Sequence, residues 1–195
     1  KWQSTTFGSE GEMITRFLKA MVLDGATYRE IAEDDSATID AFFIVIIYVL
    51  AAVIPYAYNG VFTWTFVIIL IPFMLLEWFL ATGVTHFIVG RLFHGEDNLV
   101  GFFRAMGFSL SAGVFNVLSV IPIAGLVVSG LLGILIFIAN IIAIRAATKV
   151  GIGSAIISLI LANFISSLLF GCFMVGIILL MGPETLINNW DSYYP

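Results

Sequence analysis

Glu77 is the residue of this sequence best placed to do chemistry, because it stands inside a long apolar run at 62–89. At a rise of about 1.5 Å per residue it lies about 21 Å along a helix from Arg91. A carboxylate at that depth in a bilayer costs about 2.5–3.5 kcal/mol on insertion scales, so Glu77 is expected to be protonated or paired. Pro72, five residues earlier, frees backbone carbonyls and favours a kink. A kink beside an acid can line a substrate or proton path; the plainer alternative is a protonated Glu77 bonded to a neighbouring helix. His86 follows nine residues later, which at about 100° per residue places it on the opposite face. It shares its expected depth with Arg104, and its plain reading is a hydrogen-bonding histidine. Asn116, Asn140 and Asn163 put one amide in each of three later apolar runs. Such amides either glue helices together, at about 0.6–2 kcal/mol each, or line a polar path between them.

Small residues recur every four positions as Gly125, Ser129 and Gly133, and again as Ser154, Ser158, Ala162 and Ser166. Stripes of this kind let backbones approach, so the two runs are expected to touch each other or to form an oligomer seam. Catalysis finds little support. No serine comes with a histidine and an acid at suitable spacing, Cys172 has no activating base, and no phosphate-binding glycine loop occurs. His86 and His94 fit no metal spacing. Neither an enzyme nor a cofactor or metal site is expected.

These residues sit in a chain of 195, room for one domain, of which 61 % is apolar and 11 % charged. Soluble domains carry roughly 45–50 % and about 25 %, so lipid is expected to cover the excess. The net charge of −5 comes mostly from one short N-terminal stretch, and no basic patch suggests nucleic acid as a partner. One cysteine excludes an intrachain disulfide. Residues 1–37 are mostly polar and lack the apolar core of a secretory signal peptide. The first residue is Lys1, not Met, which leaves room for a leading segment.

A bilayer core of about 30 Å takes roughly 20 apolar residues. Five runs qualify, at 39–57, 62–89, 102–120, 123–144 and 152–181. The expected fold is therefore an all-α membrane bundle of about five transmembrane helices. A cytoplasmic segment at 1–37, a bundle at 38–182 and a short extracytoplasmic tail at 183–195 divide the chain. The second and fifth runs exceed the need and must tilt, kink or protrude. Arg104, Ser109, Ser111, Asn116 and Ser119 interrupt the third, which is expected inside the bundle. Pro122 turns the chain tightly into the fourth, and a shallow re-entrant hairpin of these two runs is the alternative. All eight Lys and Arg fall before the first run or in and beside the second and fourth connections, with Arg91 and Arg104 flanking the second. Basic loops stay in the cytoplasm, so the N-terminus is expected inside and the C-terminus outside. Tyr56, Tyr58, Trp64, Trp190, Tyr193 and Tyr194 then gather at the outer face, as interfacial aromatics do.

In the N-terminal segment, Met13, Ile14, Phe17, Leu18, Met21 and Val22 recur at helical spacing. The helix they form is expected either on the inner membrane surface or packed on the bundle's own loops. Gly25 is expected to end it, and Thr27 to Glu30 reads as a capping box opening a second short helix. The acidic run Glu33, Asp34 and Asp35 reads as a solvated face, or as a docking site for a basic partner.

The stretch Thr27-Tyr28-Arg29-Glu30-Ile31-Ala32-Glu33-Asp34 before the first run resembles the opening of the Yip domain family, named for Ypt-interacting protein. Gly101-Phe102-Phe103-Arg104-Ala105-Met106-Gly107-Phe108-Ser109 resembles that family's approach to its third span. Ile144-Arg145-Ala146-Ala147-Thr148-Lys149-Val150-Gly151 is similar to its loop before the last helix. With Pro122, the resemblance covers about 14–180 and rests on the order and spacing of small and apolar residues. It implies a five-helix membrane domain with a cytoplasmic N-terminus. It also implies an adaptor role, because eukaryotic relatives act in vesicle traffic by binding small GTPases and other membrane proteins. Here the N-terminal segment is short and has no acidic, proline-containing motif. The resemblance therefore points to the prokaryotic-type branch and does not extend to small GTPases. The expected partners are membrane lipid and other membrane proteins, or a second copy. A scaffold or adaptor is the leading reading, a small transporter or channel using Glu77 the next, and a membrane-shaping or lipid-sensing protein the third.

Overall fold

The computed structural model describes residues 9–58, 60, 64–121 and 124–181. Among these there is no strand; the order is α1 Ser9–Met21, α2 Gly25–Glu33, α3 Ala37–Tyr58, α4 Trp64–Phe93 and α5 Leu99–Phe108. A 3-10 helix over Ser111–Val120 continues α5, and α6 Ala124–Thr148 and α7 Ile152–Met181 follow. Five segments are long and apolar enough to cross a bilayer: Ala37–Tyr58, Leu70–Phe93, Leu99–Val120, Gly125–Thr148 and Ile152–Phe173. They coincide with the five apolar runs of the sequence. Apolar side chains also cover the outside, with Phe43, Phe87, Leu126 and Phe164 all more than half exposed. A helix apolar all round belongs in lipid or in a core, and here the protein covers only one side of each. Pro122, Trp190, Tyr193, Tyr194 and the 183–195 tail lie outside the described residues.

The third segment is the most enclosed, at 56 % buried against 22–39 % for the other four. That is where its arginine and serines require it to be, since polar groups facing lipid would have no partners. It lies between α3 and α6, while α4 runs beside α3 and α7. Its second half is a ten-residue 3-10 helix, longer than such helices usually run. Serine hydroxyls help to explain it: Ser109 bonds the Met106 carbonyl, Ser111 that of Phe108 and Ser119 that of Asn116, each at 2.6 Å. These local bonds compete with the α-helical ladder. The 3-10 rise of about 2.0 Å per residue then lets a short stretch cover more depth.

Two glycines decide how closely this segment approaches α3. A Cβ on Gly107 would stand 2.9 Å from the Ala41 Cβ and 3.0 Å from its carbonyl oxygen, and one on Gly113 would collide with the Tyr48 ring. The small-residue stripes fall elsewhere. On α7, Ser158, Ala162 and Ser166 are fully buried and Ser154 is half-buried. The main neighbour of α7 is α4, with a smaller contact to α6. On α6, Gly125 abuts the Ser119 backbone and Ser129 is half-buried, while Gly133 meets nothing within 4 Å.

Both N-terminal turns differ from expectation. Leu23, not glycine, takes the left-handed conformation that ends α1, with φ 65°. Its amide bonds the Ala20 carbonyl and the Asp24 amide that of Lys19, the paired bonds of a Schellman turn. Gly25 is instead the first residue of α2, and the cap is Asp24 rather than Thr27. The Asp24 carboxylate accepts from the Ala26 amide and the Thr27 hydroxyl. An aspartate two residues ahead of Ala26 offers an equally good cap, so the helix starts earlier.

Replacing Gly107 by valine should destabilise the bundle by about 1–3 kcal/mol through overpacking. Gly133→Val, facing open space, should stay within about 0.5 kcal/mol. Thermal unfolding of both variants in one detergent checks this, and equal shifts would contradict the close approach of α5 to α3.

Candidate functional site

Every membrane-length segment contributes to one interior cavity of about 190 Å³. Tyr48 comes from α3, Glu77 with Thr82 and Thr85 from α4, Leu110 from the third segment, Asn140 from α6 and Asn163 from α7. The α4 residues Met74, Glu77, Trp78, Ala81 and Thr85 follow helical spacing, so one face of that helix forms a wall. Glu77 is half-buried and makes no hydrogen bond or ion pair with any described residue. The Asn140 side-chain amide and the Ser109 hydroxyl lie at hydrogen-bond distance, 2.5 Å, and Asn163 donates to the Leu159 carbonyl at 2.8 Å. The space is large enough for several waters at about 30 Å³ each, and the polar groups among its mostly apolar lining would give them partners. A carboxyl group in such a chamber can bind a small cation or polar solute, or hold and release a proton.

The other three polar candidates lie apart from this cavity. His86 is on a separate cleft with Arg91 and Asp97. Its ring packs edge-on against Phe102 and its Nε2 lies 3.5 Å from the Asp97 carboxylate. Asn116 is half-buried in the 3-10 helix and does not line the cavity. Arg104 belongs to a different construction at the end of the bundle that carries α2.

There the Arg104 side chain, 7 % exposed, binds the junction of α2 and α3. It donates to the Thr38 hydroxyl at 2.8 Å, to the Ala32 carbonyl at 3.2 Å and to the Asp35 carboxylate. The Ala32 carbonyl is at the C-terminal end of α2, where a cation satisfies a carbonyl without a helical partner and complements the helix dipole. A second arginine holds the same junction from α1. Arg16, 8 % exposed, donates to Glu30 at 3.0 Å, Asp34 at 2.5 Å and Glu12 at 3.3 Å. Burial works against its charge, but the hydrogen bonds to Asp34 and Glu30 prevail and its pKa is raised. Asp34 and Asp35 thus find their basic partners within the chain, whereas Glu33 is exposed. Also on α2, Tyr28 is fully buried and its hydroxyl donates to the Ala20 carbonyl at 3.0 Å.

α1 packs on α2 and reaches the 3-10 helix. Its apolar positions divide: Phe17 and Met21 are half-buried, while Ile14, Leu18 and Val22 are exposed at 57, 55 and 76 %. Sequence reasoning passed over Tyr48, Thr82 and Thr85 as lining of the cavity and Ser109 as the partner of Asn140. For Thr85 the helical register with Glu77 was the available signal; for Tyr48 and Ser109 none existed, because only packing brings them in. No model of a protein family, no curated protein and no solved structure matches this chain.

Hydrogen bonds from the Ser36 amide and hydroxyl, with help from Arg16, hold the Asp34 carboxyl below the ordinary aspartate value despite partial desolvation. A lowered folded pKa means that Asp34 stabilises the junction at neutral pH and that this contribution is lost as pH falls through that pKa. Hydrogen exchange in α1 and α2, corrected for intrinsic rates, should therefore stay slow down to about pH 4 and accelerate below it. Asp34→Asn should remove the acid step; an unchanged step in that variant would assign it to another group.

Proposed function

We propose that the chain is an integral membrane scaffold or adaptor of the Yip-domain type, with its N-terminus in the cytoplasm and its C-terminus outside. One observation carries this reading. Two of the three stretches that resemble the family, 27–34 and 101–109, meet in space, with Arg104 of the second bound to the Ala32 carbonyl of the first. The resemblance is thus concentrated in the joint that fixes α1 and α2 against the bundle. A membrane anchor whose short cytoplasmic cap is held rigid offers a pre-ordered surface, which lowers the entropy cost of binding a partner. On α6, Gly130 and Gly133 leave open space on an apolar helix, the kind of surface on which a second membrane helix packs closely. The orientation follows from the basic residues of the short connections.

Gentle detergent extraction followed by native mass measurement tests the scaffold reading. A stoichiometric membrane-protein partner or a second copy is expected, and Gly130→Leu with Gly133→Leu should release it. A bare monomer under every mild condition would count against the reading. In the same cells, a cysteine at exposed Glu33 in a Cys172→Ser background should react with an impermeant maleimide only after permeabilisation.

The cavity favours a second reading, a small transporter or channel. Its support is the convergence of Glu77, Asn140 and Asn163 from three segments. Glu77→Gln should then abolish a proton- or cation-dependent flux in proteoliposomes while leaving the unfolding temperature nearly unchanged. Equal flux in both proteins would remove Glu77 from any such path.

A further inference from the structure

At the end of the bundle that carries α2, the C-terminus of α6 and the N-terminus of α2 enclose a cleft of about 440 Å³. Three of the chain's eight basic residues line it: Arg29 from α2, Arg145 from the last turn of α6, and Lys149 just beyond. Ile142 and Val150 supply apolar wall, and a Cβ added to Gly25, the first residue of α2, would stand 3.6 Å from the Ile142 side chain. Arg29 and Arg145 are exposed and bond no acid among the described residues. Two carboxylates stand nearby. Glu96 pairs with Lys149 at 2.6 Å, and Asp24 is occupied in capping α2. Three cations thus face two carboxylates, so the cleft keeps a net positive charge, carried by Arg29 and Arg145, while Asp24 offsets the positive end of the α2 dipole.

The depth of the cleft identifies the anion. The apolar segment Gly125–Thr148 has 24 residues, about 36 Å of helix against a hydrocarbon core of about 30 Å. The last turn of α6, with Arg145, thus stands at headgroup level, while Ile142 one turn earlier meets the acyl region. Basic pockets at this level suit anionic headgroups. Lys149 has φ 58°, a left-handed turn just past the end of α6.

We propose that Arg29, Arg145 and Lys149 form a binding site for the phosphate of an anionic membrane lipid, with Ile142 and Val150 meeting the start of its acyl chains. The site is independent of the scaffold and transport readings, since it uses neither the α6 glycines nor the Glu77 cavity. The test is native mass spectrometry of the full chain released from nanodiscs of equal dioleoyl phosphatidylglycerol and dioleoyl phosphatidylcholine. The wild type should retain the anionic lipid about tenfold more, as two favourable charges at a membrane surface allow. Arg29→Gln with Arg145→Gln should reduce that preference to about twofold or less. Arg91→Gln, an exposed arginine on a different cleft, should leave it intact. Should the double variant fail to fold, Arg29→Gln alone, at an exposed position, should still lower the preference several-fold. Equal retention of the two lipids by the wild type would overturn the proposal, as would a loss in Arg91→Gln matching that of the double variant. Inorganic phosphate displacing the bound lipid as readily as phosphatidylglycerol vesicles do would overturn the lipid as occupant and leave a free-phosphate site.

Discussion

A guanidinium at the edge of an apolar bundle must find its counter-charge within reach, and Arg104 satisfies that constraint by tying three elements together. It lies within the third membrane-length segment, Leu99–Val120, so leaving it without partners would carry a large desolvation penalty. The neighbouring acids Asp34 and Asp35 divide the work: one takes Arg16 from α1 and the other Arg104 from α5. Asp35 remains in water at 95 % side-chain exposure, so this pair is a bridge between interior and solvent rather than a buried ion pair. Its value is geometric. The fork of donors fixes where α2 stops and where α3 begins, and the well-packed core of Tyr28, Ile31, Phe102 and Ile144 forms around that joint.

The remainder of the bundle is built more loosely. A separate small cluster of Val53, Ala57 and Val67 holds α3 to α4 far from the joint. α7 buries a narrow stripe of small residues and exposes most of its large ones. In water such packing would leave a large apolar surface to aggregate, whereas in lipid the same surface is solvated and close backbone packing becomes the main source of cohesion. The five-way cavity is consistent with that economy. Glu77 and Asn140 are half-buried and Asn163 is exposed, and all three line the chamber that the helices leave between them.

Composition and run length determined the fold class. Sixty-one per cent apolar residues, and five runs separated by short polar connections, leave an all-α bundle as the arrangement that satisfies every backbone group in a bilayer. The enclosure of the third segment was legible for the same reason, since Arg104 and its serines cannot face lipid. Helix ends were less legible. Leu23 rather than a glycine closes α1, and Asp24 rather than Thr27 caps α2, because adjacent candidates differ by less than tertiary packing decides.

Partner choice belonged to the tertiary structure alone. The sequence marked Glu77, His86, Arg104 and the three asparagines as intramembrane polar groups without saying which would meet. Asn140 finds Ser109, His86 faces Asp97, and Arg104 finds Asp35, across separations of 31, 11 and 69 residues respectively. Periodicity reports which face of one helix a residue occupies, but it carries no information about the rotation of the neighbouring helix. That rotation depends on how closely backbones approach, which at Gly107 and Gly113 is a matter of a single missing Cβ.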